Sequence, residues 1–579
     1  MTIIMRLNNI LSIGAVAAGL ALSSCGESFL DVESKLDSNV DNFYSTQTNA
    51  VRALIGCYDG WRQVSSNPGV GFYVASTVMS DETFGGTGNG DSYTYQAIDA
   101  FDIQVSPSDR NLYETDWSSY YAGIYRCNML LQNEENITWD SDEDRGRIMG
   151  ECHALRALLY FDLVRWFGNI PLLYEPSVEL LEQANPAEVY ALIFEDLRYA
   201  IENIPADMYH PGTPNPDQSQ VTGTWGRVTK QAAEGILARA YLYYTGYYGQ
   251  EPGWTNEEGV TTGAVTKAEA LEALEDIISS GYYSLVADFK NLWVAASVVP
   301  IPGEAGWNTE LSTYAGDDNS EIILSQNFTP TQDYDGNNDS NRWLVMMGLR
   351  EYNTNTFDLP YGQGWGACTV CPNFYDYFSA ADARRVPTVI DMVAEGIASG
   401  ADWETSVSRW REYTGFTVKK YTPMVYGNGN PATNETGEGA GFQECNPTHW
   451  VILRYADVLL MAAELGSGNA QNYMDQVRTR AGLASVTASK ENILEERKLE
   501  FAMEGLRYWD LLRQSNGGDV TALADAIMVS NNQSVLNGGA EAVVSYDRGK
   551  IIATRGLSQI PQSQITLSGG KLIQNKGWD

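Results

Sequence analysis

The sequence has few histidines, few basic residues and no long apolar run beyond its first 24 residues. Only three histidines occur in 579 residues, which is few for metal or acid–base chemistry. Lysine and arginine number 37 against 74 aspartate and glutamate, for a formal net charge of −37. Nucleic acids and anionic lipid surfaces both need clustered positive charge, so this composition disfavours them as partners. A highly anionic polysaccharide is disfavoured for the same reason, unless the fold builds a local basic pocket.

Motifs of common enzyme chemistry are also missing. The chain has no Gly-x-Ser-x-Gly elbow, no His-Glu-x-x-His and no phosphate-binding loop. His153 and His210 have no catalytic partner close to them in sequence. We therefore expect no enzymatic activity.

One charged stripe invites an enzymatic interpretation. On a helix predicted over residues 491–513, charges of alternating sign recur every three or four residues and so share one face. They are Arg497, Glu500, Glu504 and Arg507. Each carboxylate has an arginine one turn away, which would lower its pKa and make it a poor general acid at neutral pH. We interpret the stripe as ion-paired packing between helices rather than as the acid and base of a glycosidase.

The start of the chain has the form of a lipoprotein leader. Arg6 supplies a positive charge, residues 10–22 are apolar but too short to span a bilayer, and small residues precede Cys25. We expect cleavage before Cys25 and lipid on that cysteine, so that the mature chain is tethered to a membrane. An ordinary secretory signal with an incidental cysteine is the alternative.

Helical periodicity dominates both ends of the remaining chain. Over 143–167, apolar residues recur every three or four positions and mark one buried face. The same reasoning predicts helices at 48–62, 113–133, 186–203, 229–244, 267–279, 450–465 and 469–481. Helices paired across turns predict a mostly α protein of stacked, tetratricopeptide-like hairpins, although no fixed 34-residue period is evident.

Residues 300–450 lose this periodicity and are rich in Gly, Asn, Asp, Thr and Pro. Loops this long inside a compact protein are usually functional. We divide the chain into a leader (1–24), a lipidated tether (25–42), a helical scaffold (43–290) with a ligand loop near 81–100, a loop-rich ligand-binding lobe (291–449), and a C-terminal helical part with a tail (450–579) that packs with 43–290 as one unit.

Aromatic residues are abundant, with 34 Tyr, 15 Trp and 16 Phe. Many lie in polar, glycine-rich stretches rather than in periodic apolar segments. Flat rings beside polar groups suit the CH faces and hydroxyls of sugars. For any single ring, packing within its own loop is the alternative.

Cysteines and acidic clusters raise the question of metals. Cys152 lies in an apolar helical stripe and is expected to be a buried free thiol. Cys368-x-x-Cys371 followed by Cys445-x3-His449 has the outline of a zinc site, with a disulfide or buried thiols as alternatives. We predict no cofactor; calcium is the alternative for an oxygen-rich set that could equally form solvated turns, namely Asp317, Asp318, Asp333, Asp335, Asn337, Asn338 and Asp339.

Four stretches carry a family resemblance. They are residues 151–172 (ECHALRALLYFDLVRWFGNIPL), 454–464 (RYADVLLMAAE), 496–513 (ERKLEFAMEGLRYWDLLR) and 560–565 (IPQSQI). Together they resemble the SusD-like (SusD/RagB) family of outer-membrane nutrient-binding lipoproteins. The resemblance implies a SusD-like scaffold of tetratricopeptide-like helix pairs, an overlying ligand-binding lobe, and a SusC-like TonB-dependent transporter as partner. It also implies that the lipid anchor holds the protein at the outer membrane, facing the cell exterior. Ligands in the family are mostly glycans, and some members are associated with peptides.

The resemblance also implies where the ligand binds: on loops between early helices and in the region 280–370, through aromatic and hydrogen-bonding side chains. Trp343 and Trp365 are the first candidates, followed by Tyr93 and Trp307. The other candidates are polar or aromatic neighbours of these rings: Asn89, Asp91, Tyr314, Asn341 and Arg342. We predict a non-catalytic surface lipoprotein that captures an oligosaccharide and delivers it to the transporter. A peptide-binding protein of the RagB type and a lipid-anchored glycoside hydrolase are the alternatives.

Overall fold

The structure is a computed structural model that describes most of the chain beyond the tether. It covers residues 43–66, 69–177, 180–207, 226–297, 299–300, 307–308, 313–329, 339–350, 361–395, 406–425, 442–443 and 446–579. Cys25 and the rest of the predicted leader and tether lie outside these residues.

Helices dominate the described residues. In chain order they are α1 Gln47–Ser66, α2 Phe72–Val78, α3 Thr94–Asp99, α4 Glu114–Gln132, α5 Asp142–Phe167, α6 Pro186–Asn203, α7 Lys230–Tyr248, α8 Lys267–Ser280, α9 Val294–Ser297, α10 Pro372–Tyr375, α11 Arg385–Thr388, α12 Tyr455–Glu464, α13 Ala470–Arg480, α14 Lys490–Glu500, α15 Arg507–Leu512, α16 Thr521–Met528, α17 Arg548–Thr554 and α18 Gln562–Leu567.

The strands are short. They are β1 Thr83–Gly86, β2 Trp254–Thr255, β3 Thr261–Thr262, β4 Val299–Pro300, β5 Trp307–Asn308, β6 Ile322–Gln326, β7 Leu349–Arg350, β8 Gln363–Gly364, β9 Ala367–Val370, β10 Val389–Asp391, β11 Phe416–Val418, β12 Trp450–Arg454, β13 Gln533–Asn537 and β14 Ala540–Val544.

Local sequence signals set the ends of the scaffold helices. Thr229 and Thr266 are N-caps whose hydroxyls accept from the backbone N–H groups of Ala232 and Glu269, at 3.1 and 3.2 Å. Gly281 ends α8 with a φ of +69°, a conformation that favours glycine. These signals lie within one turn of each helix end, which is why the sequence predicted these helices well.

Successive helices pack as neighbours. Helix α4 contacts α1 and α5, α5 contacts α6, α6 contacts α7, and α7 contacts α8. Helix α12, from the C-terminal part, packs on α8 and leads to α13 and α14. The predicted mostly α, tetratricopeptide-like fold is confirmed. Among the described residues, no helix combines the length and the apolar character needed to span a bilayer.

A four-stranded antiparallel sheet joins the N-terminal part to the loop-rich lobe. Its strand order is β1–β9–β11–β10. Thr83 of β1 is opposite Val370 of β9, and Thr369 of β9 is opposite Thr417 of β11. Strand β1 leads directly into residues 87–93, so the sheet fixes the start of that loop against the lobe.

A buried ionic network lies between α14, β12 and the lobe. Arg454 donates to Glu500 at 2.6 Å and to Glu504 at 2.9 Å. From the lobe, Arg384 donates to Glu500 at 3.0 Å, and Lys420 donates to Glu504 at 2.7 Å. Burial alone would raise the pKa of Glu500, but its arginine neighbours hold that pKa well below the usual range. The predicted ion-paired packing is therefore present, and these carboxylates are enclosed rather than open to a substrate.

The helix predicted over 491–513 is interrupted, which corrects the single-face argument. Helix α14 ends at Glu500, and the next helix begins at Arg507. Met503 and Gly505, which lie between them, have φ values of +61° and +73°. The charged residues meet through this sharp turn and through contacts with the lobe, not along one helix.

The helix predicted over 450–465 also differs. Residues Trp450–Arg454 form strand β12, which pairs with β6, and the helix starts at Tyr455. Pairing with a distant strand satisfies the backbone of this segment in a way that local periodicity does not reveal.

Candidate functional site

The loop of residues 87–93 forms the best-defined candidate surface. The Thr87 N–H donates to the Gly366 carbonyl at 2.7 Å, and the Asn89 N–H donates to the Arg409 carbonyl at 2.8 Å. The loop is therefore held by backbone bonds to two segments of the lobe. Such anchoring gives an irregular loop a defined shape.

The buried Arg411 side chain holds this loop in place through hydrogen bonds. Only 2% of Arg411 is exposed. Its guanidinium donates to the backbone carbonyls of Asn89 at 3.0 Å, Asp91 at 2.8 Å and Ser92 at 2.8 Å, and to the side-chain oxygen of Gln96 at 3.0 Å. Hydrogen bonds from a charged donor are stronger than neutral ones, so one buried side chain fixes the course of the loop.

Tyr93 rests on the same guanidinium. The Arg411 guanidinium carbon lies 4.0 Å from the centroid of the Tyr93 ring, within the range of a cation–π contact. Tyr93 nevertheless remains 52% exposed. The ring thus has one side supported by a cation and surface left open to solvent. A ring held this way is a pre-oriented stacking platform, because binding costs it little conformational entropy.

Polar groups flank the ring. Asp91 accepts from the Gly88 N–H at 2.9 Å and lies 3.5 Å from a guanidinium nitrogen of Arg350. Asp91 and Asn89 are exposed, and Arg350 is half-buried. We call the surface formed by Asn89, Asp91, Tyr93 and Arg350 the Tyr93 face. An amide and a carboxylate lie within four residues of the ring along the loop, and a guanidinium lies against the carboxylate; such groups suit recognition of a hydroxyl-rich ligand.

A buried polar layer supports the Tyr93 face from below. The Gln96 amide donates to Glu412 at 2.9 Å and to the Gly86 carbonyl at 2.8 Å. Glu412 in turn accepts from the Gly86 N–H at 3.0 Å, and burial raises the pKa of Glu412. Asp99 accepts from the Tyr546 hydroxyl at 2.9 Å, and burial raises its pKa well above the usual value. These bonds make the layer a rigid base for the loop.

Trp365 adjoins this surface through the backbone. It immediately precedes Gly366, whose carbonyl accepts from both the Thr87 N–H and the Trp410 indole N–H, the latter at 2.7 Å. The Trp365 side chain is half-buried and packs against the main core. Trp365 therefore stays a candidate at the border of the Tyr93 face.

Trp343 and Asn341 are placed differently from the prediction. Trp343 has no exposed surface, and its ring is stacked on that of Tyr73, with centroids 4.1 Å apart. Asn341 is equally buried and bonds to the backbone of Asn446 and Thr448. The prediction that Trp343 offers its ring to a ligand is wrong for this structure, because aromatic residues from distant segments enclose it.

The other candidates are half-buried, or their side chains lie outside the described residues. Tyr314 is half-buried, and its hydroxyl donates to Asp317 at 2.6 Å. Arg342 is half-buried at the start of a short 3-10 helix. Trp307 lies in β5, but its side chain is outside the described residues. Their roles in binding stay predictions.

The suggested metal sites are described only in part. Cys368 and Cys371 are buried free thiols, while Cys445 lies outside the described residues. His449 accepts from the Phe328 N–H at 3.1 Å. Of the oxygen-rich set considered for calcium, the structure describes only Asp317, Asp318 and Asp339.

Sequence reasoning missed Arg350 and Arg411, which build the Tyr93 face from the lobe. The segment Arg409-Trp410-Arg411 carried a usable signal, since two arginines flanking a tryptophan are unusual in so acidic a chain. What the sequence could not show is that this segment meets residues 87–93, because that contact spans more than 300 residues.

The fold defines the class: a tetratricopeptide-like helical scaffold with a loop-rich lobe attached through a small sheet. Two family descriptions match the chain, "Starch-binding associating with outer membrane" over residues 28–242 and "SusD family" over residues 395–578. Together they cover more than half of it. The chain belongs to the SusD family.

Individual relatives agree with this assignment. SusD-like protein P2 of Formosa agariphila is 26% identical over 441 residues, which cover 71% of this chain and 74% of that protein. Starch-binding protein SusD of Bacteroides thetaiotaomicron is 29% identical over 195 residues, 33% of this chain and 29% of that protein.

Solved structures share the fold. A laminarin-binding SusD-like protein superposes with a TM-score of 0.67 at 26% identity, covering 92% of this chain and 99% of that one. Surface glycan-binding protein A of Bacteroides thetaiotaomicron, solved with laminarihexaose, gives a TM-score of 0.69 at 23% identity with the same coverage. The predicted SusD-like scaffold is confirmed.

Proposed function

We propose that this chain is a surface lipoprotein that binds a glycan at the Tyr93 face and does not cleave it. The observation that carries the proposal is the Tyr93 ring, seated on the Arg411 guanidinium and still 52% exposed. A sugar can place its apolar CH face on this ring, while its hydroxyls reach the exposed Asn89 and Asp91. Relatives named for binding starch and laminarin support a glycan as the ligand class.

The carboxylates argue for binding rather than hydrolysis. A glycosidase needs two carboxyl groups about 5 or about 6.5–9.5 Å apart, flanking the bond to be cleaved. On the Tyr93 face, as defined, Asp91 is the single carboxylate, and it is paired with Arg350. Glu500 and Glu504, the pair considered from sequence, are committed to the buried ionic network.

The proposal includes a location and a partner. Lipid on Cys25 anchors the protein at the outer membrane, and the captured glycan passes to a SusC-like TonB-dependent transporter. Membership of the SusD family supports this, as does the outer-membrane association stated in the matching family description.

Calorimetry with the purified mature protein tests the ligand and the site together. We expect binding to one or more members of a panel of starch-, laminarin- and host-derived oligosaccharides, and none to peptides. Tyr93→Ala should weaken binding about tenfold, a loss of about 1.4 kcal/mol. Tyr125→Ala is the matched control, because Tyr125 is also 52% exposed but lies on scaffold helix α4.

Two results would contradict the proposal. Full affinity in Tyr93→Ala would remove the Tyr93 face from the site. Binding of peptides alone would favour the RagB-type alternative.

A further inference from the structure

Three cysteine side chains meet inside the helical scaffold: Cys57 of α1, Cys127 of α4 and Cys152 of α5. Their Sγ atoms all lie within 4.8 Å of one another, and those of Cys57 and Cys152 are 3.9 Å apart. None of the three residues has exposed surface. In the part of the chain that the structure describes, this is the one group of three His, Cys, Asp or Glu side chains so placed.

The helix packing brings the three thiols together. A Cβ on Gly60 would lie 2.9 Å from the Gly123 Cα, so α1 and α4 cross where neither carries a side chain. Cys57 lies one turn before Gly60, and Cys127 lies one turn after Gly123, so the close crossing aligns them. Cys152 then reaches this crossing from α5, with its Sγ 3.5 Å from the Cys127 carbonyl.

We propose that Cys57, Cys127 and Cys152 bind one Cu(I) ion as three thiolates in trigonal geometry. With metal–sulfur bonds of about 2.3 Å, three sulfurs around a central ion are about 4.0 Å apart. The observed Cys57–Cys152 separation of 3.9 Å matches this spacing. Binding exchanges three thiol protons, which leave to solvent, for one Cu(I), and no electron is transferred.

The ligand set selects the metal. Structural zinc is held by four ligands, and among the described residues no fourth His, Cys, Asp or Glu joins the three cysteines. Calcium and magnesium require oxygen ligands. Thiolates alone favour a soft ion, of which Cu(I) accepts three-coordination.

Two arginines lie beside the three-cysteine cluster. Arg126 donates to the Gly56 carbonyl at 3.0 Å, next to Cys57, and the buried Arg156 lies one turn after Cys152. Each guanidinium also pairs with a carboxylate, Arg126 with Asp59 and Arg156 with Asp196, so the two arginines offset only a small part of the net negative charge of a Cu(I) tris-thiolate. Because no Sγ is exposed, we expect the ion to exchange slowly, through local opening of the helices.

Competition with a coloured Cu(I) chelator, bicinchoninate, tests the site. Reduced mature protein should withdraw one Cu(I) per chain under anaerobic conditions, acquire a thiolate-to-copper ultraviolet band, and unfold at a higher temperature. Cys152→Ala and Cys127→Ala should each abolish the uptake. Cys371→Ala is the control, because Cys371 is also a buried free thiol but lies outside the cluster.

Three results would overturn the copper proposal, and none of them depends on whether the protein binds a glycan. No uptake by the reduced wild-type protein would overturn the proposal. An equal loss of uptake in Cys371→Ala would also overturn it. So would a Cys57–Cys152 disulfide that prevents uptake, found by mass spectrometry in protein isolated without reductant.

Discussion

Two aromatic residues that were both predicted to face a ligand are placed differently in the structure. Tyr93 lies among polar residues, whereas Trp343 follows a polar stretch and opens the apolar run 343–347. Tyr93 is exposed and lies against the Arg411 guanidinium, whereas Trp343 is enclosed by Tyr73 and Trp450. Local sequence reports how few neighbours a ring has along the chain. It does not report which distant segments cover that ring, so this part of the site could not be predicted.

At the residue scale, we predict that Arg411→Met lowers both the stability of the fold and the affinity of the proposed glycan site. The substitution removes bonds to Asn89, Asp91 and Ser92 and the support under Tyr93. Hydrogen bonds from charged groups contribute about 1.5–3 kcal/mol each, so thermal unfolding should shift down by several degrees. Glycan affinity should fall at least as far as in Tyr93→Ala.

Matched variants separate positioning from simple destabilisation. Arg411→Lys keeps a cation under the ring and should recover part of the affinity. Arg548→Met removes a half-buried surface arginine paired with Asp525 and should change neither property. Wild-type affinity in Arg411→Met would show that Arg411 does not position the Tyr93 face.

At the scale of elements, sequence succeeded where the signal is local and failed where it is not. The scaffold helices follow from periodicity and from caps such as Thr229 and Thr266. Strand β12 was missed because its partner β6 is more than 100 residues away. The turn between α14 and α15 was missed although Gly505 marks it, since the alternating charges on either side fitted an unbroken helix.

Glu82 lies between α2 and β1 and contacts the turn between α14 and α15. Its burial predicts that the stability of the fold depends on pH. Its side chain accepts from the Met503 N–H at 3.1 Å. Burial raises the pKa of Glu82 from 4.5 to about 8, with Asp81, Arg507 and Lys420 as charged neighbours. Between pH 4.5 and about 8, Glu82 keeps its proton in the folded protein but loses it in the unfolded chain. The stabilisation from the protonated carboxyl is therefore fully present below pH 4.5 and is lost as the pH rises towards about 8.

We expect Glu82→Gln to remove this part of the pH dependence. Thermal unfolding is followed at pH values from about 5 to about 8. The free energy of unfolding of the wild type should fall more steeply with pH than that of the variant, by up to about 1.4 kcal/mol per pH unit, and the midpoint temperature should fall with it. Glu258→Gln, in an exposed loop, controls for the change in net charge. Parallel curves for wild type and Glu82→Gln would contradict the prediction.

At the scale of the whole molecule, the described fold combines a helical scaffold with a lobe that it holds through a sheet and a buried ionic network. The family resemblance anticipated the scaffold because its motifs, including 151–172 and 496–513, form scaffold helices and their ionic contacts. The loops that we propose to bind the glycan carry no such motif. Their geometry depends on contacts between 87–93 and 406–411, which a single sequence does not specify.

The anchor is a whole-molecule prediction that fractionation can check. Cys25→Ala should move the protein from the washed membrane fraction into the soluble fraction, because several acyl chains provide durable attachment and the net charge of −37 disfavours adhesion to anionic lipid. Cys371→Ala should remain with the membrane. Retention of Cys25→Ala after a high-salt wash would contradict lipid anchoring at this residue.

The most direct test of the central claim is a structure of the mature protein with an oligosaccharide selected by calorimetry. We predict an intact ligand with one sugar ring stacked on the exposed side of Tyr93 and hydroxyls within hydrogen-bonding distance of Asn89 or Asp91. A ligand bound elsewhere with Tyr93 uncovered, or a ligand found cleaved, would contradict the account.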